Sequence, residues 1–128
     1  MPAYLAIQEN EGPVTGFHTC GPLQALVRDL LGTLPGIRTL EVSGWNDVEA
    51  LDRVVESGIG FACQVRNTVV LCGTENQHRA LLESLRRVAK HRRVSVCAQA
   101  IVRVHGTYAE DLRRMNRFIG LAREILAC

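Results

Sequence analysis

The stretch IGFACQVRNTVVLCGTENQHRALLESLRRVAKHRRVSVCAQAIVRVHGTY, residues 59–108, carries the clearest structural pattern in the chain. Within it, Phe61–Val65 and Thr68–Cys72 are rich in β-branched, apolar and cysteine side chains, and only Arg66 and Asn67 separate them. Two apolar runs joined by two residues are typical of a β-hairpin. The sequence therefore predicts two antiparallel strands here.

A basic helix is predicted directly after this hairpin. Thr74 and Gln77 have the spacing of a capping box, in which each side chain satisfies an unpaired backbone N–H. Apolar residues then recur at helical spacing, and this places His78 on the inner face as a core histidine with one hydrogen bond. The inner face consists of His78, Leu81, Leu82, Leu85, Val88 and Ala89.

The period changes to two at Val94, and residues 94–104 alternate between apolar and polar side chains apart from Ile101. This alternation predicts a long strand with one buried face. The Gly106–Thr107 turn follows, and Thr107 with Glu110 predicts the capped start of a last helix that ends near residue 126.

The first half of the chain is interpreted in the same way. Pro22 suits the first turn of a helix, and Asn46 with Glu49 predicts a helix N-terminus, with Trp45 as the hydrophobic staple before it. The predicted elements are strands at 4–8 and 37–42, a strand or irregular return at 14–19, and helices from Gly21–Pro22 to Gly32 and over 46–57.

Helices that alternate with a largely antiparallel sheet predict an α+β fold, a two-layer sandwich formed by one domain over residues 1–128. Without the 46–57 helix the order becomes β-α-β-β-α-β, which is the ferredoxin-like plan. The predicted architecture is therefore a ferredoxin-like, mostly antiparallel sheet with one extra helix.

The composition predicts a cytoplasmic protein without a membrane span. No stretch approaches the roughly 18 apolar residues of a transmembrane helix, and the N-terminus lacks the pattern of a signal peptide. Five cysteines, an odd number without any C-x-x-C pair, argue against a disulfide framework, and we expect reduced thiols.

Charge is distributed unevenly along the chain. Residues 1–60 hold three arginines against eight acidic residues, a charge of −5, whereas residues 61–128 hold twelve basic residues against five acids, a charge of +7. Six basic residues lie within positions 86–93. Cations at a helix C-terminus explain one or two of these, and the concentration of the others indicates an anionic partner.

Structured RNA is the partner that this pattern favours, recognised through its phosphates because aromatic side chains for base stacking are scarce. His105 and Arg103 flank a turn whose free backbone N–H groups could also hold an anion. The predicted RNA-binding residues are Arg79, Arg86, Arg87, Lys90, Arg92, Arg93, Arg103, His105, Arg113, Arg114 and Arg117.

Catalysis by side chains has little support in the sequence. His18 and Cys20 could supply two metal ligands or a nucleophile with its base, but no second pair has zinc spacing and the acidic residues are scattered. No phosphate-binding, dinucleotide-binding or hydrolase motif is present. We therefore predict no catalytic residue, no metal and no cofactor.

Taken together, these segments resemble the ribonuclease P protein component 2 family, the small ferredoxin-like subunit of archaeal and eukaryotic ribonuclease P. The similar parts are the strand that ends at Cys72, the basic helix, the long strand and the turn at 105–107, where His105 replaces the family's serine. Residues 26–36 (LVRDLLGTLPG) are similar to the family's Leu-Gly-Glu-Leu-Gly helix ending, and residues 4–8 to its first strand.

The resemblance implies a non-catalytic subunit that supports RNA-catalysed processing of transfer-RNA 5′ ends. Its arginines would neutralise phosphates, and its partner would be a larger protein subunit. The alternative is a ferredoxin-like protein-interaction or ligand-sensing module that is oligomeric, through a second copy of itself, and binds no nucleic acid. A small enzyme that uses His18, Cys20 or His105 is a third hypothesis.

Overall fold

A computed structural model of the protein describes residues 2–99 and 106–127. Helices and strands alternate along this chain. They are α1 (Pro2–Glu11), β1 (Gly16–His18), α2 (Val27–Thr33), β2 (Thr39–Val42), α3 (Val48–Asp52), β3 (Gly60–Arg66), α4 (Asn67–Cys72), α5 (Glu75–Ala89), β4 (Val94–Gln99) and α6 (Tyr108–Leu126).

The four described strands form one sheet in the order β1-β2-β3-β4, and every neighbouring pair is parallel. The register aligns Phe17 with Leu40, Leu40 with Phe61, and Cys63 with Val96. The predicted ferredoxin-like, mostly antiparallel sheet is therefore wrong. The fold is α+β with a parallel sheet, in which helical crossovers connect successive strands.

The error arises at residues 68–72, which were predicted as the second strand of a hairpin. They belong to helix α4, which begins directly after β3 and buries Val70 and Leu71. The Asn67 side chain accepts a hydrogen bond from the Thr68 N–H at 2.8 Å and so supports the helical turn. Packing against β3 and α6 thus overrides the local β preference of a Val-Val-Leu run.

Among residues 2–99 and 106–127, one face of the sheet packs into the hydrophobic core. Leu40, Phe61 and Val65 lie in the same buried cluster as residues of α2 to α6. The intervening side chains, including Glu41 and Gln64, are only partly buried. Because parallel strands are usually covered on both faces, this alternation is the pattern expected of an antiparallel sheet.

Several boundaries in the first half also differ from prediction. Residues 4–8, predicted as a strand, lie within α1, and the weak 14–19 prediction narrows to β1. Helix α2 begins at Val27, several residues after the predicted start at Pro22. Short apolar runs of this kind do not distinguish strand from helix by their period alone.

The predicted start of the next helix is also displaced. Asp47 caps α3 by accepting a hydrogen bond from the Ala50 N–H at 3.0 Å. Asn46, predicted as the cap, bonds to other loops instead. Trp45 is 64% exposed, so its predicted role as a buried staple is wrong.

The second half follows its predictions more closely where it is described. The capping box of Thr74 and Gln77 is present at the start of α5, and Thr107 caps α6 by accepting from the Glu110 N–H. His78 is buried, with Nε2 at 2.7 Å from the Val69 carbonyl oxygen. Strand β4 is described to Gln99, and the remainder of the predicted strand lies outside the described residues.

Candidate functional site

A cleft of about 510 Å³ opens where β2 and β3 end. In open α/β sheets, ligands bind outside the carboxyl ends of the strands where the strand order reverses. The order β1-β2-β3-β4 of the described strands has no such reversal, so this cleft is identified by its volume and its lining residues. This volume falls within the range of roughly 300–1,000 Å³ that small-molecule sites occupy. Its walls include the apolar side chains Val42, Val48, Val65, Val69, Leu81 and Leu85.

The position of Asn46 makes one wall of this cleft rigid. Its side-chain amide donates to the Ser43 Oγ at 2.8 Å and to the Gly21 carbonyl at 3.3 Å. Its Oδ1 accepts from the Leu23 N–H at 2.6 Å. These bonds join the loop after β1 to the loop after β2, and both Ser43 and Asn46 line the cleft.

Gly44 allows the loop after β2 to lie directly against β3. A Cβ at this position would come within 2.6 Å of Arg66 Cγ and 3.0 Å of the Gln64 carbonyl oxygen. Real Cβ atoms do not approach so closely, so any other residue would push the loop away from the strand. The glycine therefore brings Trp45 next to Arg66.

Arg66 supplies the unusual charge of the cleft. Its guanidinium carbon lies 4.5 Å from the centroid of the Trp45 ring, a cation–π contact. Its Nε is buried and has no hydrogen-bond partner among the described residues, and no described carboxylate forms an ion pair with it. Burying an N–H donor without a partner is unfavourable, so the Arg66 guanidinium is held in this position without the hydrogen bond that would offset the burial of its Nε.

Gln64, two residues earlier on the same strand, contributes a second unpartnered atom. Its Nε2 donates to the Glu41 carboxylate, whereas its Oε1 is buried without a partner among the described residues. Gln64 also lines the cleft. Arg66, Trp45 and Gln64 were not among the predicted site residues. Their positions at the carboxyl ends of β2 and β3 could have indicated them. The predicted hairpin concealed this for Arg66, because it placed residues 66 and 67 in a turn between two strands.

The predicted RNA-binding residues do not form one free basic surface. Arg92 is almost completely buried, with a side chain only 2% exposed, and all five of its N–H groups donate to protein oxygens. Its acceptors are the Asp52 carboxylate and the carbonyl oxygens of Asp52, Val55, Glu56 and Ile59. No donor of Arg92 remains for a phosphate.

Six further predicted arginines form ion pairs with carboxylates. Their side chains stay between 41% and 74% exposed, so solvent screens these pairs. Hydrogen bonds from Ser84 and Arg87 hold the pKa of Glu49 below its ordinary value, which keeps that carboxylate charged at neutral pH. The pairs are Arg79 with Glu75 and Glu124, Arg86 with Glu83, Arg87 with Glu49, Arg113 and Arg114 with Glu110, and Arg117 with Glu75.

The remaining predicted residues divide into two groups. Lys90 and Arg93 are exposed at the end of α5, and in the part of the chain that the structure describes neither forms an ion pair. Arg103 and His105 lie outside the described residues. RNA binding stays a prediction, and these contacts leave few unpaired cations to support it.

A salt titration tests that prediction directly. If RNA binds while these ion pairs persist, about two phosphates are neutralised, and log K should fall with log[salt] at a slope of about −2. Filter binding of a structured RNA between 50 and 300 mM salt measures this slope. A slope of about −6 or steeper would show that the arginines leave their carboxylates for phosphates.

No protein-family model, curated protein or solved structure matches this chain. Across residues 2–99 and 106–127, no three histidine, cysteine or acidic side chains converge as a metal site. Nor does any helix within those residues have the length and apolarity needed to cross a bilayer.

Proposed function

We propose that this protein binds a small molecule with an apolar body and a carboxylate head in the cleft at the carboxyl ends of β2 and β3. The observation that carries the proposal is the Arg66 guanidinium, which has no ion-pair partner among the described residues at the mouth of an apolar cleft. The proposal keeps the ligand-sensing alternative and abandons the ferredoxin-like sheet. The predicted oligomer stays a prediction.

The carboxylate assignment follows from how Arg66 differs from the other arginines of the chain. The arginines on α5 and α6 that pair with carboxylates lie on the outer surface, half exposed to water. Arg66 instead lies half-buried against Trp45, with one donor removed from solvent. A planar carboxylate can accept two parallel hydrogen bonds from a guanidinium, and these are stronger than bonds to neutral acceptors.

The apolar body follows from the walls of the cleft. Leu81 and Leu85 of α5, Val65 of β3 and Val69 of α4 all line the cleft. Apolar surface removed from water in such a site contributes about 25 cal/mol per Å². The head group therefore determines orientation, and the apolar body adds affinity of a similar size.

Matched ligands separate these two contributions. Octanoate and 1-octanol share an apolar chain, and only octanoate carries a charged head. Trp45 is the only tryptophan in the sequence and contacts Arg66, so its fluorescence reports binding in the cleft. Replacing Arg66 with glutamine is expected to raise the Kd for octanoate by about 10–100-fold, because a charge-assisted hydrogen bond contributes about 1.5–3 kcal/mol. We expect the Kd for octanol to change by less than about threefold, because octanol does not form that bond.

The control is Arg28→Gln, which removes the same charge from an exposed position on α2. This variant should bind octanoate like the unmodified protein. Equal losses for both ligands in Arg66→Gln would contradict the carboxylate assignment. The absence of a saturable fluorescence change with either ligand would contradict binding in the cleft altogether.

A further inference from the structure

A thiol, an imidazole and a carboxylate form a row of hydrogen-bonded groups at the end of β1 and on the polar face of the adjacent β2. Cys20 Sγ is 3.3 Å from His18 Nε2, within hydrogen-bond reach for sulfur. On the other side of the same ring, His18 Nδ1 is 2.7 Å from Glu41 Oε2. The second oxygen of Glu41 accepts a hydrogen bond from the Gln64 amide.

The parallel register explains why these groups meet. His18 pairs with Glu41 between β1 and β2, so both side chains project from the same face, while Phe17 and Leu40 project towards the core. After His18 the chain turns sharply, because the Thr19 hydroxyl accepts from the Gly21 N–H at 3.1 Å. This turn brings Cys20 back over the imidazole.

The loop that carries Cys20 is fixed from its other end as well. The Gly21 carbonyl accepts hydrogen bonds from Ser43 Oγ and from Asn46 Nδ2, each at 3.3 Å. Cys20 is therefore held between an anchored glycine and the end of a strand. The thiol and the imidazole stay adjacent without depending on a flexible loop.

This order of groups is the one that activates a cysteine. A carboxylate that accepts from Nδ1–H leaves the lone pair on Nε2, which then faces the thiol and can take its proton. The resulting thiolate is stabilised by the imidazolium, and the imidazolium by Glu41. We infer that Cys20 is a nucleophilic thiol that undergoes reversible S-thiolation by low-molecular-weight disulfides.

The reaction balances within these groups. The Cys20 thiolate attacks one sulfur of the disulfide, the S–S bond of that molecule breaks, and a new S–S bond forms to Cys20. The departing thiolate takes the proton that His18 removed from Cys20, and leaves as a thiol. Cys20 is oxidised, one sulfur of the small disulfide is reduced, and no further oxidant is needed.

The other described cysteines lack this environment. Burial raises the pKa of Cys63 to about 12, so this thiol stays protonated in the core. Burial, and secondarily the nearby Glu41 charge, raise the pKa of Cys97. Cys72 is exposed on α4, and among the described residues no hydrogen bond joins its thiol to a histidine or a carboxylate. The same Glu41 charge thus favours the thiolate of Cys20 through His18 and disfavours the thiolate of Cys97.

Glutathione disulfide at pH 7, with peptide mapping by mass spectrometry, tests the inference on the full chain. An unperturbed thiol is only a few per cent thiolate at this pH, so Cys20 is expected to react about 5–10 times faster than Cys72. His18→Gln should reduce the rate at Cys20 to that of Cys72. Equal rates at Cys20 and Cys72 in the unmodified protein would overturn the inference.

Glu41→Gln supplies a readout that a general loosening of the structure would not produce. Removing this charge should lower the rate of S-thiolation at Cys20, because the imidazolium loses its carboxylate partner. It should raise the rate at Cys97, because the Cys97 thiolate loses a repulsive neighbouring charge. The rate at Cys72 should not change. Parallel changes at Cys20 and Cys97, or a Cys20 rate unaffected by His18→Gln, would also overturn the inference.

Discussion

Replacing Arg92 with alanine is expected to lower the free energy of unfolding by about 3–5 kcal/mol, the usual cost of removing one partner of a buried ion pair. The Asp52 carboxylate would lose its closest charged partner, at 2.7 Å from Arg92 Nε. Four carbonyl oxygens, of Asp52, Val55, Glu56 and Ile59, would each lose a hydrogen bond. The contact between the guanidinium and the Phe61 ring, 4.3 Å from the centroid, would also disappear.

The effect is large because Arg92 holds the segment between α3 and β3 in place. A loss of this size is a substantial part of the roughly 5–15 kcal/mol by which domains are stable. Urea unfolding followed by circular dichroism measures the change. The matched control is Arg86→Ala, which removes an arginine whose partner is the nearby Glu83 on the exposed side of α5. We expect at most about 0.5 kcal/mol there.

Acid titration gives the same prediction a second readout. Burial works against the charge of Asp52, but hydrogen bonds from Arg92 and His91 more than offset it and hold the pKa of this carboxyl below its ordinary value. A lowered folded-state pKa stabilises the fold above the ordinary carboxyl pKa of about 4, and this contribution is lost as pH falls further. The difference in the free energy of unfolding between Arg92→Ala and the unmodified protein should therefore become smaller below about pH 4. Comparable losses for Arg92→Ala and Arg86→Ala at pH 7 would contradict the structural role.

Gly73→Ala is the second substitution with a large expected effect. A Cβ at this position would lie 2.4 Å from the Val69 carbonyl oxygen and 2.6 Å from His78 Nε2. The same two atoms form a hydrogen bond with each other at 2.7 Å inside the core. The new methyl group must separate them or displace the end of α4, because one of the two atoms belongs to the backbone.

Overpacking costs about 1–3 kcal/mol and a broken buried hydrogen bond costs about 1–3 kcal/mol more, so we expect a loss of about 2–6 kcal/mol. Thermal and urea unfolding both measure it. Gly120→Ala is the matched control, since nothing lies within 4 Å of its added Cβ and the residue is in the middle of α6. That variant should gain about 0.5–1 kcal/mol, because alanine favours the helix more than glycine does. A stable Gly73→Ala protein would show that the connection between α4 and α5 adapts without cost.

The two predictions concern residues that the sequence analysis interpreted with unequal success. The pattern of α5 was strong enough to identify His78 as a core residue. Arg92, by contrast, was assigned to RNA because it lies among five other basic residues, and charge counts cannot show which arginine turns inward. Burial of Arg92 depends on carbonyl groups about 33–37 residues earlier in the chain. Only the folded chain brings these groups together.

The cleft and the Cys20 group show the same limit: the sequence contains the residues, but only the fold shows their distant partners. His18 and Cys20 were recognised as a pair, but their carboxylate could not be identified while β1 and β2 lacked a register. Arg66 was assigned to a hairpin turn, where a charged side chain requires no explanation. Its importance follows from the position of Trp45, which depends on the absence of a Cβ at Gly44.

Sequence patterns correctly predicted features whose interactions span only a few residues: the capping box of α5, the Thr107 cap of α6 and the apolar face of α5. They also located β2 and β3 to within two residues of their bounds. The tertiary structure alone decided the direction of the strands, the helical state of residues 67–72 and the partners of the arginines. The physical reason is the range of the interactions. Caps and helical periodicity act over three or four residues, whereas strand pairing and the burial of a charge depend on groups distant in sequence, whose contributions exceed any local preference.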